Sequence, residues 1–107
     1  MPPLKIEKEE LAEIICKLLS GSNGLDFNGF LGTLANHLLA NQIGFDMQPN
    51  TDYSGSWQMK DKELVREILW DLIIDRYLTP GGSGHDNWPS LTVTQKGKDY
   101  FRSFQKL

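Results

Sequence analysis

The spacing of apolar residues changes once along this chain, and that change constrains the fold more than any other feature. Up to about Tyr77 the apolar side chains recur every three or four residues, as on a helix face; from Leu78 to Thr94 they fall into short strand-like pieces. Three helix-period segments come first. Glu7 to Leu19 places Leu11, Ile14, Ile15, Leu18 and Leu19 on one stripe, with Glu9, Glu10, Glu13 and Lys17 largely opposite. The run from Ser20 to Gly24 stops this helix, and Asp26 is a suitable N-cap for a second one reaching about Asn41. Its stripe is Phe27, Phe30, Leu31, Leu34, Ala35 and Leu38. Gly29 and Gly32 lie inside this helix, where each costs about 1 kcal/mol relative to alanine. With Thr33 and Asn36 they leave a small-residue face, expected to pack closely against another helix. Residues 43–59 read as an irregular loop. The third helix, Lys60 to about Tyr77, gathers Val65, Ile68, Leu69, Leu72 and Ile73 into one arc that Trp70 and Tyr77 extend. Leu78-Thr79-Pro80 then begins a strand, residues 81–87 form a glycine-rich loop, and Leu91-Thr92-Val93-Thr94 alternates like a half-buried strand. Thr94 caps a last helix that turns Tyr100, Phe101 and Phe104 inward and runs towards Leu107.

With 107 residues the chain has room for one domain with one core. No apolar run approaches the roughly 20 residues of a bilayer span, and the first residues lack the apolar stretch of a signal peptide. A single cysteine, Cys16, excludes an internal disulfide, and with two histidines it cannot close a structural zinc site. Its place at the edge of an apolar stripe predicts an inert, partly buried thiol. These features together predict a cytoplasmic protein. The net charge of -3 gives no global pull towards nucleic acid, so local charge must decide the partner.

Helix, strand, loop, strand, helix is the order of elements in a winged helix-turn-helix. The segments "EILWDLIIDRYLTPG" and "WPSLTVTQKGKDYF" resemble the recognition helix, wing and closing helix of bacterial winged-helix proteins. The MarR-type repressors carry a similar leucine-rich helix, a variable wing and a run like "LTxKG". Here that run is Val93-Thr94-Gln95-Lys96-Gly97, with valine in place of leucine. The resemblance covers about Lys60 to Phe101. It departs from the family in the long stretch before the third helix, where the family has a short turn. It implies a mainly α fold with a small β-hairpin, a winged helix spanning residues 1–107 as a single domain. Ile15, Leu18, Leu34, Leu69, Leu72 and Val93 are then expected in the core.

In DNA-binding relatives the helix before the wing enters the major groove and the wing touches phosphates. In this chain Glu63, Glu67, Asp71 and Asp75 recur every four residues as a carboxylate ridge, roughly opposite the apolar arc. A duplex carrying one charge per about 1.7 Å would repel it. The residues 81–87 loop offers only His85 and Asp86 as ionisable groups. Positive charge gathers instead on the closing helix, where Lys98, Arg102 and Lys106 recur every four residues beside Lys96. These four are the candidate nucleic-acid contacts, in weak, salt-sensitive binding to DNA; removing two should lower the salt slope by about 2. A solvated helix face explains them about as well. Two functions follow: a DNA-binding, transcription-regulatory domain, or a protein-protein interaction module using the winged-helix surface. The closing helix, with no stop signal, is expected to continue into a larger parent protein or a homodimer contact.

Other patterns carry less. Residues 50–61 place oxygen ligands, a glycine and a carboxylate as an EF-hand loop does. However, Asn50 stands where aspartate is usual, and Asp61 is shorter than the usual glutamate. A turn-rich loop in which Asp61 starts the third helix is the favoured reading. Gly81-Gly82-Ser83-Gly84 lacks the Lys-Ser or Lys-Thr of a phosphate loop, and His37 and His85 show no positioned partner. No enzyme activity, metal or cofactor is expected.

Overall fold

The computed structural model describes residues 4–41, 43–44, 57–81 and 88–106, residues 105 and 106 without their side chains. Four helices and three short strands follow in the order α1 (Lys8–Leu19), β1 (Gly24–Asp26), α2 (Phe27–Ala40), α3 (Met59–Ile74), β2 (Leu78–Pro80), β3 (Ser90–Val93) and α4 (Gln95–Arg102), closed by a 3-10 turn at Ser103–Lys106. The fold is mainly helical with a small antiparallel sheet, an arrangement compatible with a winged helix. The sheet has three strands in the order β1-β3-β2, so the expected hairpin is joined by β1. Gly24 pairs with Thr92 across one side of β3, and Leu78 pairs with Val93 across the other. Three residues among turn-formers leave no readable period. Tertiary pairing makes β1 a strand, and Gly24 fits because a Cβ there would stand 2.7 Å from the Leu91 carbonyl oxygen.

Helix ends follow local chemistry. Asp26 caps α2 as expected, its Oδ2 accepting the Gly29 N–H at 3.2 Å. Thr94 caps α4 in the same way, accepting the Gly97 N–H at 2.9 Å. The third helix stops at Ile74, three residues before its expected end, because Arg76 adopts a left-handed φ of 67°. The Arg76 N–H then bonds to the Ile73 carbonyl at 2.9 Å and the Tyr77 N–H to the Leu72 carbonyl at 2.9 Å. These two bonds make a Schellman cap. Glycine is usual at that left-handed position, so arginine there hid the stop. At the other end of the chain, the closing helix gives way to the 3-10 turn after Arg102 rather than continuing regularly.

All four helices and the sheet contribute to one core. Leu11, Ile15, Leu34, Leu38, Val65, Leu69, Leu78 and Phe101 have no measurable exposure. Ile15, Leu34, Leu69, Leu72 and Val93 are buried as the sequence predicts. Leu18 is only half-buried, because it lines an open groove between the end of α1, β1 and α2. That groove also bears on the small-residue face of α2, which does not pack against another helix. Gly29, Gly32, Thr33 and Asn36 are exposed, and a Cβ at Gly32 would meet no atom within 4 Å. Gly32→Ala should therefore raise stability by about 0.5–1 kcal/mol, read as a higher urea midpoint at unchanged slope.

The chain start is fastened to α3 and to the end of α2. The Leu4 N–H donates to Asp61 Oδ2 at 2.9 Å, and the Lys5 N–H donates to the Gly44 carbonyl at 2.7 Å. Asp61, in the first turn of α3, is the one buried charged side chain among the described residues. An acid there also meets the positive end of the helix dipole. Trp57 adds a third fastening, its Nε1 donating to the Leu31 carbonyl at 3.0 Å.

Candidate recognition surfaces

The four carboxylates of the α3 ridge, Glu63, Glu67, Asp71 and Asp75, are all exposed, as on a solvated outer face. At about 100° per residue, a four-residue step turns the ridge by about 40° each time, so it winds around the helix. Its middle reaches α1, where Lys8 Nζ lies 3.1 Å from Glu67 Oε1 and 3.0 Å from Asp71 Oδ2. The two carboxylates, Asp71 first, hold the Lys8 ammonium above its usual range. The ridge thus contributes a bridge between helices.

Three large apolar residues stand exposed among the charged ones of α3. Met59, Trp70 and Ile74 are 69%, 41% and 74% exposed, and their spacing places them along one side of the helix. Trp70 belongs to this side rather than to an extension of the core arc. Its ring stacks on Trp88, beside β3, at 5.8 Å between centroids and 26° between planes. Trp88 in turn meets the buried Phe27 at 4.8 Å. A ladder of aromatic rings therefore runs from the start of α2, across Trp88, onto the open face of α3. The signal was present in the sequence as Trp70 and Ile74 four residues apart. It was masked because Trp70 lies next to Leu69 and Leu72, which are core.

The basic residues separate into two places. Lys96 is committed to the end of α3: its Nζ donates to the Asp75 carbonyl at 2.9 Å and lies 4.9 Å from the centre of the Tyr77 ring. A cation on the last carbonyls of a helix satisfies both an orphan acceptor and the negative dipole end. Tyr77 continues into a second aromatic group, stacking on Tyr100 at 4.0 Å and 6°, with Phe101 and Phe104 against Tyr100. Lys98 and Arg102 point elsewhere, lining a cavity with Ser20, Gly21, Ser22 and Asn23 of the turn between α1 and β1. The side chain of Lys106 lies outside the described residues.

The cavity and the Trp70 face are at opposite ends of β3. Asn23 bonds at the Val93 end, where its carbonyl accepts the Val93 N–H at 2.9 Å; Trp88 precedes the Ser90 end. Four strand residues separate the two by about 10 Å along the sheet. One flat docking surface does not take in both.

Cys16 is 3% exposed. Burial, with Glu13 adding to it, pushes its thiol up to about 11, so it remains protonated at neutral pH. The unfolded thiol gives up its proton near 9, so between about pH 9 and 11 only the folded state still holds it. Stability is full below that window and falls as pH rises through it, by at most about 3 kcal/mol from this group. Tyr100, raised chiefly by burial and then by Cys16, and Lys8, raised by its partners, act with the same sign. Urea midpoints should fall from pH 8 to pH 11, and Cys16→Ala should remove the part of the fall that begins near pH 9.

Of the remaining candidates, His37 is half-buried on α2, and His85 lies outside the described residues. Residues 50–56 of the EF-hand-like segment also lie outside them, while its last residue, Asp61, accepts the Leu4 N–H. Among the described residues no three His, Cys, Asp or Glu side chains come together as a metal set. No described helix is long and apolar enough to cross a membrane. Compared with protein-family models, with curated proteins and with solved structures, the chain finds no significant match.

Proposed function

We propose that this chain is a non-catalytic recognition domain of winged-helix type that binds a protein segment on the outward face of α3. The observation that carries this reading is the exposure of Trp70 and Ile74, one turn apart, with Trp70 stacked on Trp88. Large apolar side chains grouped on an open surface mark interaction sites more often than isolated ones do, and tryptophan is prominent among residues that dominate binding energy. Glu63 and Arg66, both exposed, lie on the same side, so the apolar residues have a charge of each sign beside them.

The test selects peptides from a displayed library on the immobilised domain, with counter-selection on a Trp70→Ala, Ile74→Asp double variant. Peptides with apolar centres should be enriched on the parent and lost on the variant, with Trp70→Ala alone weakening them by about tenfold or more. Equal enrichment on parent and variant would refute the reading. So would micromolar duplex binding abolished by the same double variant.

A second reading, DNA binding by a transcription-regulatory domain of the MarR type, is favoured by the paired Lys98 and Arg102. A random-duplex titration at low salt tests it. Weak binding should appear whose salt slope drops by about 2 in a Lys98→Gln, Arg102→Gln variant. An unchanged slope removes this reading.

A further inference from the structure

We propose that the cavity between α4 and the turn joining α1 to β1 is a binding site for a phosphate group. The cavity has a volume of about 220 Å³ and is lined by Ser20, Gly21, Ser22, Asn23, Lys98 and Arg102. A water molecule's share of liquid volume is about 30 Å³, so the space holds one tetrahedral oxyanion and several waters. This site is independent of the α3 face, and neither proposal depends on the other.

Two observations converge on an anion. First, Lys98 and Arg102 are four residues apart on α4, which sets them on one side of the helix and brings both into the same cavity. Second, the cations are unmatched. No carboxylate lines the cavity, and among the described residues neither cation lies within 4.0 Å of an acid. Lys96, by contrast, two residues before Lys98, is already held by Asp75 and Tyr77.

The donor set fits phosphate. Arg102 offers a planar fork that bonds two oxygens at once, Lys98 a compact point charge, and Ser22 and Asn23 neutral donors from across the cavity. Two positive charges match a phosphate dianion, and the donors approach from two separate chain segments, as a tetrahedral group with three or more acceptor oxygens requires. The turn is held in shape independently of any ligand: Gly21 takes a φ of 82°, the Ser22 N–H bonds to the Leu19 carbonyl at 3.0 Å, and the Asn23 carbonyl receives the Val93 N–H. The site is therefore preformed, and binding does not have to order it.

The experiment titrates inorganic phosphate into the isotopically labelled chain, following backbone amide resonances at constant ionic strength set with chloride. Saturable shifts confined to residues 20–23 and 98–102 are expected, with binding weakened about tenfold or more in Arg102→Gln and Lys98→Gln. Lys60→Gln on α3 should leave binding unchanged. Two further arms use one short single-stranded oligonucleotide, with and without a 5′-phosphate. Binding of the phosphorylated form alone identifies a terminal monoester or free phosphate as the ligand. Equal, Arg102-dependent binding of both identifies the internucleotide phosphate. The proposal is overturned if phosphate gives no saturable shifts, if chloride alone reproduces them, or if Arg102→Gln binds as the parent does while its spectrum shows the native fold.

Discussion

Gly97→Ala is expected to cost about 3 kcal/mol or more, and to lower the melting temperature by about 10 °C or more. A Cβ at Gly97 would overlap the Tyr77 carbonyl oxygen, with the Tyr77 carbonyl carbon at 2.9 Å and Val93 Cγ1 at 3.1 Å. Two of these three atoms are backbone and cannot rotate away. Relief requires the first turn of α4 to lift off the junction between α3 and β2, to which Thr94 fastens it. Its N–H donates to the Tyr77 carbonyl at 3.1 Å, its hydroxyl donates to the Arg76 carbonyl at 2.7 Å, and its Oγ1 accepts the Gly97 N–H at 2.9 Å. The same side-chain change at Gly32 has the opposite sign, because that position opens onto solvent. Denaturant unfolding of the two variants side by side checks the contrast; a Gly97→Ala domain within about 0.5 kcal/mol of the parent would contradict the close approach.

Leu69→Ala should cost about 2 to 5 kcal/mol. Leu69 has no exposed surface and lies on the buried side of α3, in a cluster that draws on α1, α2, α3, the sheet and α4. Truncation removes apolar contact and leaves a cavity whose walls belong to several elements, so collapse of any one of them cannot fill it. The measurement is again the urea midpoint, with the slope confirming that the variant unfolds from the same native state. Ile74→Ala serves as its companion. Ile74 is on the same helix but 74% exposed, so that change should lie within about 0.5 kcal/mol of the parent.

Where the sequence was legible, the information was local. Asp26 and Thr94 announce the helices they cap because a side-chain oxygen two or three residues before a free N–H is enough to start one. The buried stripe of α3 could be read because sixteen residues give several repeats of the helical period. What escaped depends on distant partners. β1 is a strand only because β3 lies beside it, and three residues are too few to show alternation. The end of α3 was missed because Arg76 does what glycine usually does. At the candidate sites the four-residue repeat of carboxylates was visible, but not that Lys8, far away in sequence, would hold two of them. The four basic residues were read as one patch from their charge. They separate because Lys96 is captured by the end of α3 while Lys98 and Arg102 meet the turn after α1.

The fastenings at the chain start have a practical consequence for engineering. The bond from Lys5 to Gly44 fixes the point where the chain leaves the end of α2, and the Trp57 indole on Leu31 fixes the point where it returns. Residues 45–56 are thus bracketed by two anchors that their own composition does not supply. Both anchors lie on residues outside that interval, so a reporter peptide spliced between Gly44 and Trp57 leaves intact the bonds that hold the end of α2 and the approach to α3.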